Sequence, residues 1–197
     1  ESLLSPGKAG FFDEDGVMAT AGLPVEDKWY LYYIGWNLAA SVPFRNSIGL
    51  AMSTDEGKSF QKFAAGPILD RSVYDPCFVA SNCVLQEAGR YRMWYLSCID
   101  WQKRETGFRH FYHIKYAESE NGIDWHRKGK ICIDFKYANE YAISVPRVIK
   151  AKDGYKMWYS FREGAQHTTY RVGYAESKDG LDWVRKDELV NLPDRKS

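Results

Sequence analysis

The chain has 197 residues and an almost balanced charge, 27 Lys and Arg against 26 Asp and Glu. That length suits one good-sized domain or two small ones, and a neutral chain without a basic run offers no electrostatic ground for a nucleic-acid or anionic-membrane partner. No stretch approaches the ~18 apolar residues of a membrane-spanning helix, and the start, ESLLSPGKAG, lacks the charged-then-apolar pattern of a secretion signal, so a cytoplasmic location is the expectation.

Along the chain the same four strand patterns appear three times. The first unit has a small and β-branched run, GVMATAGLPV (16–25), an aromatic run, KWYLYY (28–33), an alternating run, SIGLAMS (47–53), and a fourth strand starting at Phe60. The second has FVASNCVL (78–85), RYRMWY (90–95), HIKYAES (113–119) and a start at Trp125. The third has ISVPRVI (143–149), GYKMWY (154–159), RVGYAES (171–177) and a start at Trp183. Turn chemistry joins the first two runs of each unit, in VEDKW, QEAGR and AKDGY. The third and fourth runs are joined by YAESENGIDW and YAESKDGLDW, and more faintly by LAMSTDEGKSF. Asp, Asn and Gly in those joints tolerate left-handed backbone and make a tight turn.

Strict alternation marks the third run: Ile114, Tyr116 and Glu118 share one face, Lys115, Ala117 and Ser119 the other. No useful window carries a 3.6-residue period. Self-similar units of four antiparallel strands predict an all-β chain, a β-propeller of four-stranded blades. Three blades are expected within a single domain over 1–197, at about 11–70, 73–135 and 139–193. Excess length over a compact blade falls between the second and third runs, at 36–47, 97–112 and 160–170, which reads as long loops.

Alternating strand direction puts the starts of the first strands and these loops on one rim. There stand Asp13, Glu14 and Asp15 in FFDEDGV, Asp75 in SVYDPCF, and Glu140 in NEYAISVPR. Counted back from the aromatic strand, Asp13 and Asp75 are equivalent and Glu140 falls one residue later. The loops add Trp36, Asn37, Arg45, Asp100, Trp101, Arg104, His113, Arg162, Glu163 and His167. Paired carboxylates beside aromatic platforms suit glycosyl transfer, with one acid protonating the leaving oxygen and a second serving water or the anomeric carbon. A plainer role competes at each position: Asp75-Pro76 and Asp15-Gly16 are also turn formers. Arg147, on an otherwise apolar first strand, should be paired if buried, with Glu140 or Asp75 as natural partners. A lone His113 is a structural residue more often than a base. Neither the four histidines nor Cys77, Cys83, Cys98 and Cys132 have metal-ligand spacing, so no metal or organic cofactor is expected and the thiols read as free.

These units, FDEDGVMATAGLPVEDKWYLYYIGWN, YDPCFVASNCVL with YRMWYLS, HIKYAESENGIDW and ISVPRVI with YKMWYSFR, resemble the five-bladed propeller glycosidase superfamily. It includes the family 43 and family 32 enzymes and the mannoside phosphorylases. More closely, the chain resembles a set of bacterial proteins of this superfamily that are often labelled glycosyl hydrolases. The resemblance implies a base at Asp13 or Asp15, an orienting acid at Asp75 and a general acid at Glu140. It also implies an oligosaccharide or glycoconjugate ligand held by Trp36, Asn37, Asp100, Trp101, His113, Arg147, Arg162 and Glu163. The invertase sequence W-M-N-D-P-N-G is missing, and three blades stand where the superfamily has five. A catalytically silent propeller arc that binds a glycan or protein, or closes a ring with a second copy as a homodimer, is the alternative expectation; a sialidase-like fold is a third.

Overall fold

The computed structural model describes residues 2–164 and 169–190. Its first unit is a four-stranded antiparallel meander of β1 (Gly16–Val25), β2 (Lys28–Leu38), β3 (Phe44–Ser53) and β4 (Gln61–Lys62). The second comprises β5 (Phe78–Glu87), β6 (Arg90–Lys103), β7 (Phe108–Ser119) and β8 (Ile131–Ile133). The third comprises β9 (Glu140–Ala151), β10 (Gly154–Glu163), β11 (Arg171–Ser177) and β12 (Trp183–Arg185), followed by one 3₁₀ turn at Asp187–Leu189. Units two and three are joined at a single parallel pair, Tyr112 with Ala142, where β9 begins beside β7. Every pairing inside a unit is antiparallel, because short turns bring each strand straight back; Ala88 (φ 50°) and Gly89 (φ 74°) are both left-handed, as a tight hairpin requires.

Two expectations are corrected. The first two long loops are largely strand, β2 running on to Leu38 and β6 to Lys103 still paired with the returning strand, and the third opens as strand, with β10 running to Glu163. The ladder continues through Asp100 with Phe111, Trp101 with His110, Gln102 with Arg109 and Lys103 with Phe108, an aromatic or imidazole ring lying against a partner across the strands at each step. The fourth strand is also not one piece. In unit two Trp125 precedes only an isolated bridge, Glu118 with His126, and pairing resumes at β8 against Ile114 and Lys115 in the middle of β7. Unit one does the same, with β4 against Met52 and then Leu69 bridged to Ile48.

Each first strand carries an irregularity near its middle, between Ala19 and Ala21, between Val79 and Asn82, and opposite Trp158 and Ser160. The last includes Val145 at φ 51°, a strained setting for a β-branched residue. Bulges of this kind bend and twist a strand, so their recurrence shapes all three first strands alike.

The core lies between units, which pack face to face. Tyr32, Ile48 and Leu50 of unit one meet Val79, Met93 and Tyr95 of unit two. Trp94, Ile114 and Tyr116 of unit two meet Val148, Tyr155 and Met157 of unit three. Full burial of such side chains stabilises by roughly 1.5–3 kcal/mol each. A hydrogen bond crosses each seam at an equivalent place. Tyr32 donates its hydroxyl to the Gly122 carbonyl at 2.9 Å, and Trp94 donates Nε1–H to the Gly180 carbonyl at 2.8 Å. Those glycines sit in the repeated S-x-[ND]-G turns at φ 74° and 75°. A Cβ at Gly122 would lie 2.9 Å from the Tyr32 hydroxyl, and one at Gly180 would lie 2.8 Å from the Arg92 guanidinium. The repeated phrase therefore turns the chain and also latches each unit to the one before it.

Candidate functional site

Asp13, Asp75 and Glu140 stand at the starts of the three first strands and are 1 %, 0 % and 3 % exposed. Each is held inside its own unit. Tyr33 at the end of the aromatic run donates to Asp13 at 3.0 Å, and Lys62 of β4 pairs with the same carboxylate at 2.5 Å. In unit two, Tyr95 donates to Asp75 at 3.1 Å, Ser97 at 2.7 Å and Ser72 at 2.8 Å, while Arg127 pairs at 2.8 Å and Lys115 lies 3.7 Å away. In unit three, Arg185 grips Glu140 with both terminal nitrogens, at 2.7 and 2.8 Å, and its other side meets Asp187 at 2.8 Å. There the equivalent tyrosine, Tyr159, donates to Asp187 at 2.5 Å. Close approach in unit one depends on Gly35, where a Cβ would stand 2.6 Å from that of Asp13.

Sequence reasoning missed the cations, although their signal is plain: Lys62, Arg127 and Arg185 each stand two residues after the aromatic that ends the repeated phrase, Phe60, Trp125 and Trp183. Tyr33, Tyr95 and Tyr159 were equally visible as the last letter of the aromatic runs. Burial holds these three phenols well above the usual tyrosine range, and the neighbouring carboxylates push the same way.

Arg147 departs from expectation. It is exposed and donates to the carbonyls of Pro146 and Asn82, at 2.9 and 3.3 Å, so it pairs with neither Glu140 nor Asp75. Those acids already have nearer cations, Arg185 and Arg127. His113 is buried and holds Asp134 at 2.9 Å. In unit one Ser47 makes the equivalent contact to Asp70 at 2.8 Å, so a hydroxyl does the same tethering. Burial lowers the His113 pKa, with Asp134 opposing.

Asp15 is exposed and caps the Leu38 amide at 2.7 Å; Asn37 donates to the Phe11 carbonyl and to Glu14, at 2.8 and 3.1 Å. These contacts bring the start of β1 beside the end of β2. Asp100 is exposed and accepts from Gln102 at 3.1 Å, and Glu163 pairs with Arg171 at 2.5 Å. His167 lies outside the described residues.

The rim aromatics form one connected run. Trp36 packs on Phe44 at 4.8 Å, Phe44 on Trp101 at 5.2 Å, and Trp101 on His110 at 4.6 Å. His110 stacks on Tyr112 at 5.0 Å, the hydroxyls of Tyr112 and Tyr170 are 2.5 Å apart, and the Arg162 guanidinium lies 3.9 Å from the centre of the Tyr170 ring. Phe108 and Tyr170 are exposed, Trp101 and Arg162 half-buried. Trp101 Nε1, His110 Nδ1 and Arg162 Nε are buried without a partner among the described residues. Burial, reinforced by Arg162, lowers the His110 pKa to about 4. Exposed rings beside half-buried polar side chains are the chemistry that receives a sugar face and its hydroxyls. Among the described residues no cluster of His, Cys, Asp and Glu could hold a metal ion, and the four thiols are unbridged.

No family model matches the chain. It is 36 % identical over 194 residues to the uncharacterized protein Rv1502 of Mycobacterium tuberculosis, a match covering 98 % of this chain and 62 % of the relative. The chain thus spans less than two thirds of the length of the curated relatives it matches. Among solved structures it is similar to a glycoside hydrolase, with a TM-score of 0.72 at 16 % identity over 93 % of this chain and 58 % of that one. The Bombyx mori GH32 beta-fructofuranosidase BmSUC1 matches with a TM-score of 0.68 at 14 % identity, over 86 % and 36 %. A thermostable family-43 glycoside hydrolase matches with a TM-score of 0.65 at 18 % identity, over 87 % and 53 %. The chain has the all-β propeller fold of glycoside hydrolases.

Proposed function

We propose that this chain is a glycan-binding arc of a glycosidase-type propeller, in which Asp13, Asp75 and Glu140 hold blades together rather than form an acid–base pair. One observation carries the reading: each acid is buried and paired with a cation that follows the repeated phrase of its own unit. An acid and its partner carboxylate in glycosyl transfer must both face a shared opening about 5–10 Å across. A carboxylate closed by a bidentate guanidinium is already satisfied and poorly placed to give or take a proton. The ligand surface is the rim run of Trp101, Phe108, Tyr170 and Arg162, with Asp15 and Asp100 as exposed acceptors.

One feature favours hydrolysis at a single acid. Asp13 keeps one buried oxygen without a partner, next to a 660 Å³ groove lined by Phe11, Phe60 and Lys62. Both readings are separated by titrating the chain with a panel of oligosaccharides while assaying released reducing ends. Glycan binding lost in Trp101→Ala, with no release of sugar, supports the binding arc. Hydrolysis lost in a folded Glu140→Gln or Asp13→Asn variant would replace it with the enzymatic reading.

A further inference from the structure

Three half-buried arginines, Arg92, Arg127 and Arg185, each hold a carboxylate, at 3.6, 2.8 and 2.7 Å. Arg162 is also half-buried but pairs with no carboxylate among the described residues, and its Nε is buried without a partner. In sequence the four residues after Gly164, AQHT, include no acid. Its surroundings are aromatic. The guanidinium lies 3.9 Å from the centre of the Tyr170 ring, and the Tyr170 hydroxyl meets that of Tyr112 at 2.5 Å. Backbone pairing fixes this arrangement: Tyr112 of β7 and Arg162 of β10 both pair with Ala142 of β9, so the three stand at one level of the sheet and share a face. Alternation along β7 puts His110 on that face too, and across the ribbon His110 pairs with Trp101. Arg162 therefore stands over the seam between units two and three, close enough to His110 and Tyr112 of unit two for its charge to act on both. That seam is complete within the chain.

We propose that the sugar received beside Tyr170 carries a carboxylate and that Arg162 binds it, which makes the ligand a uronate-containing oligosaccharide. A guanidinium stacked by its flat face on a ring keeps its N–H edge for an acceptor, and the side formed by Nε and one terminal nitrogen matches the two oxygens of a carboxylate. A cation drawn partly out of water without a counter-charge is costly, so a ligand that supplies the charge gains over one that does not. Trp101 and Phe108 stack on charged and neutral sugars alike; Arg162 is the group that tells them apart. The inference rests on the reading of the rim as a glycan surface and adds the class of glycan.

Calorimetric titration tests it with glucose-, galactose- and mannose-based oligosaccharides, each as the neutral sugar and as the corresponding uronate. At least one uronate is expected to bind about 10- to 100-fold more tightly than its neutral parent, the gain of hydrogen bonds to a charged group. Arg162→Gln is expected to erase that difference and leave the affinity for the neutral parent unchanged. Arg162→Lys keeps the charge and loses the fork, and should keep part of the preference. Neutral parents that bind as tightly as every uronate overturn the inference and leave the glycan surface standing. A uronate preference that survives Arg162→Gln, in a chain with an unchanged circular dichroism spectrum, overturns the assignment to Arg162. Binding of neither form to the unaltered chain overturns the glycan surface as well. The comparison of neutral and charged sugars needs no variant, so it decides the ligand class even where Arg162→Gln does not fold.

Discussion

Arg185 and Glu140 form a two-nitrogen, two-oxygen ion pair, at 2.7 and 2.8 Å, between the last strand of unit three and the first. The carboxylate is fully buried and the guanidinium is 10 % exposed, with Tyr159 and Phe161 each 5.4 Å from it. Removing one charge leaves the other stranded in an apolar setting, which costs about 3–5 kcal/mol. Arg185→Met keeps the packing and should lower the unfolding free energy in urea by that much, whereas Arg185→Met combined with Glu140→Leu should recover most of it. A single variant losing under about 1 kcal/mol would mean that the pair is not sealed from water.

The seam latches predict a smaller and cleaner effect. Tyr32→Phe deletes one hydroxyl and leaves the buried Gly122 carbonyl without that donor, a loss of about 1–2 kcal/mol. Trp94→Phe should cost more, since it also opens space in the second seam. Hydrogen exchange of the unit-three strands should rise in Trp94→Phe and not in Tyr32→Phe.

Two glycines with nearly the same positive φ should respond differently. Gly180 and Gly107 have φ of 75° and 83°, but a Cβ meets the Arg92 guanidinium at the first and nothing within 4 Å at the second. Gly107→Ala should cost about 1 kcal/mol for the left-handed backbone alone. Gly180→Ala must also displace Arg92 and should cost distinctly more in the same denaturation assay.

His110 makes stability depend on pH. Its folded pKa near 4, lowered by burial among Trp101, Phe44 and Tyr112 and by the Arg162 charge, lies below the ordinary 6.5. Between those values the unfolded chain binds the extra proton, so stability is complete above pH 6.5 and falls as pH drops toward 4. At about 1.4 kcal/mol per pH unit the separation amounts to about 3 kcal/mol. His110→Gln should flatten that part of the stability–pH curve; a curve unchanged by the substitution would assign the dependence to other groups.

Much of the fold could be read from the chain because strand periodicity and turn residues are local properties. KWYLYY, RYRMWY and GYKMWY are each followed by an alternating strand and a glycine-containing turn, and recognising that four-stranded unit needs no distant contact. The split fourth strand was hidden for the opposite reason: β8 and the Leu69 bridge are too short for any period to show. The extended ribbons read as loops because their sequence is polar and aromatic rather than β-branched.

The site divides along the same line. Asp13, Asp75 and Glu140 are findable by counting, since recurrence is written in the order of residues. Whether they face an opening or a cation depends on side chains about 20 to 50 residues away, Tyr33 and Lys62, Tyr95 and Arg127, or Arg185, brought close only when the meander folds. Arg147 illustrates the limit: its charge suggested a buried partner, and only packing revealed that it stands exposed. The sequence by itself determined the unit, its turns and the equivalence of its positions, because these rest on neighbours in the chain. Tertiary structure alone decided which acids are locked, which tryptophans are latched and which stand exposed, because those depend on what the next unit brings against them.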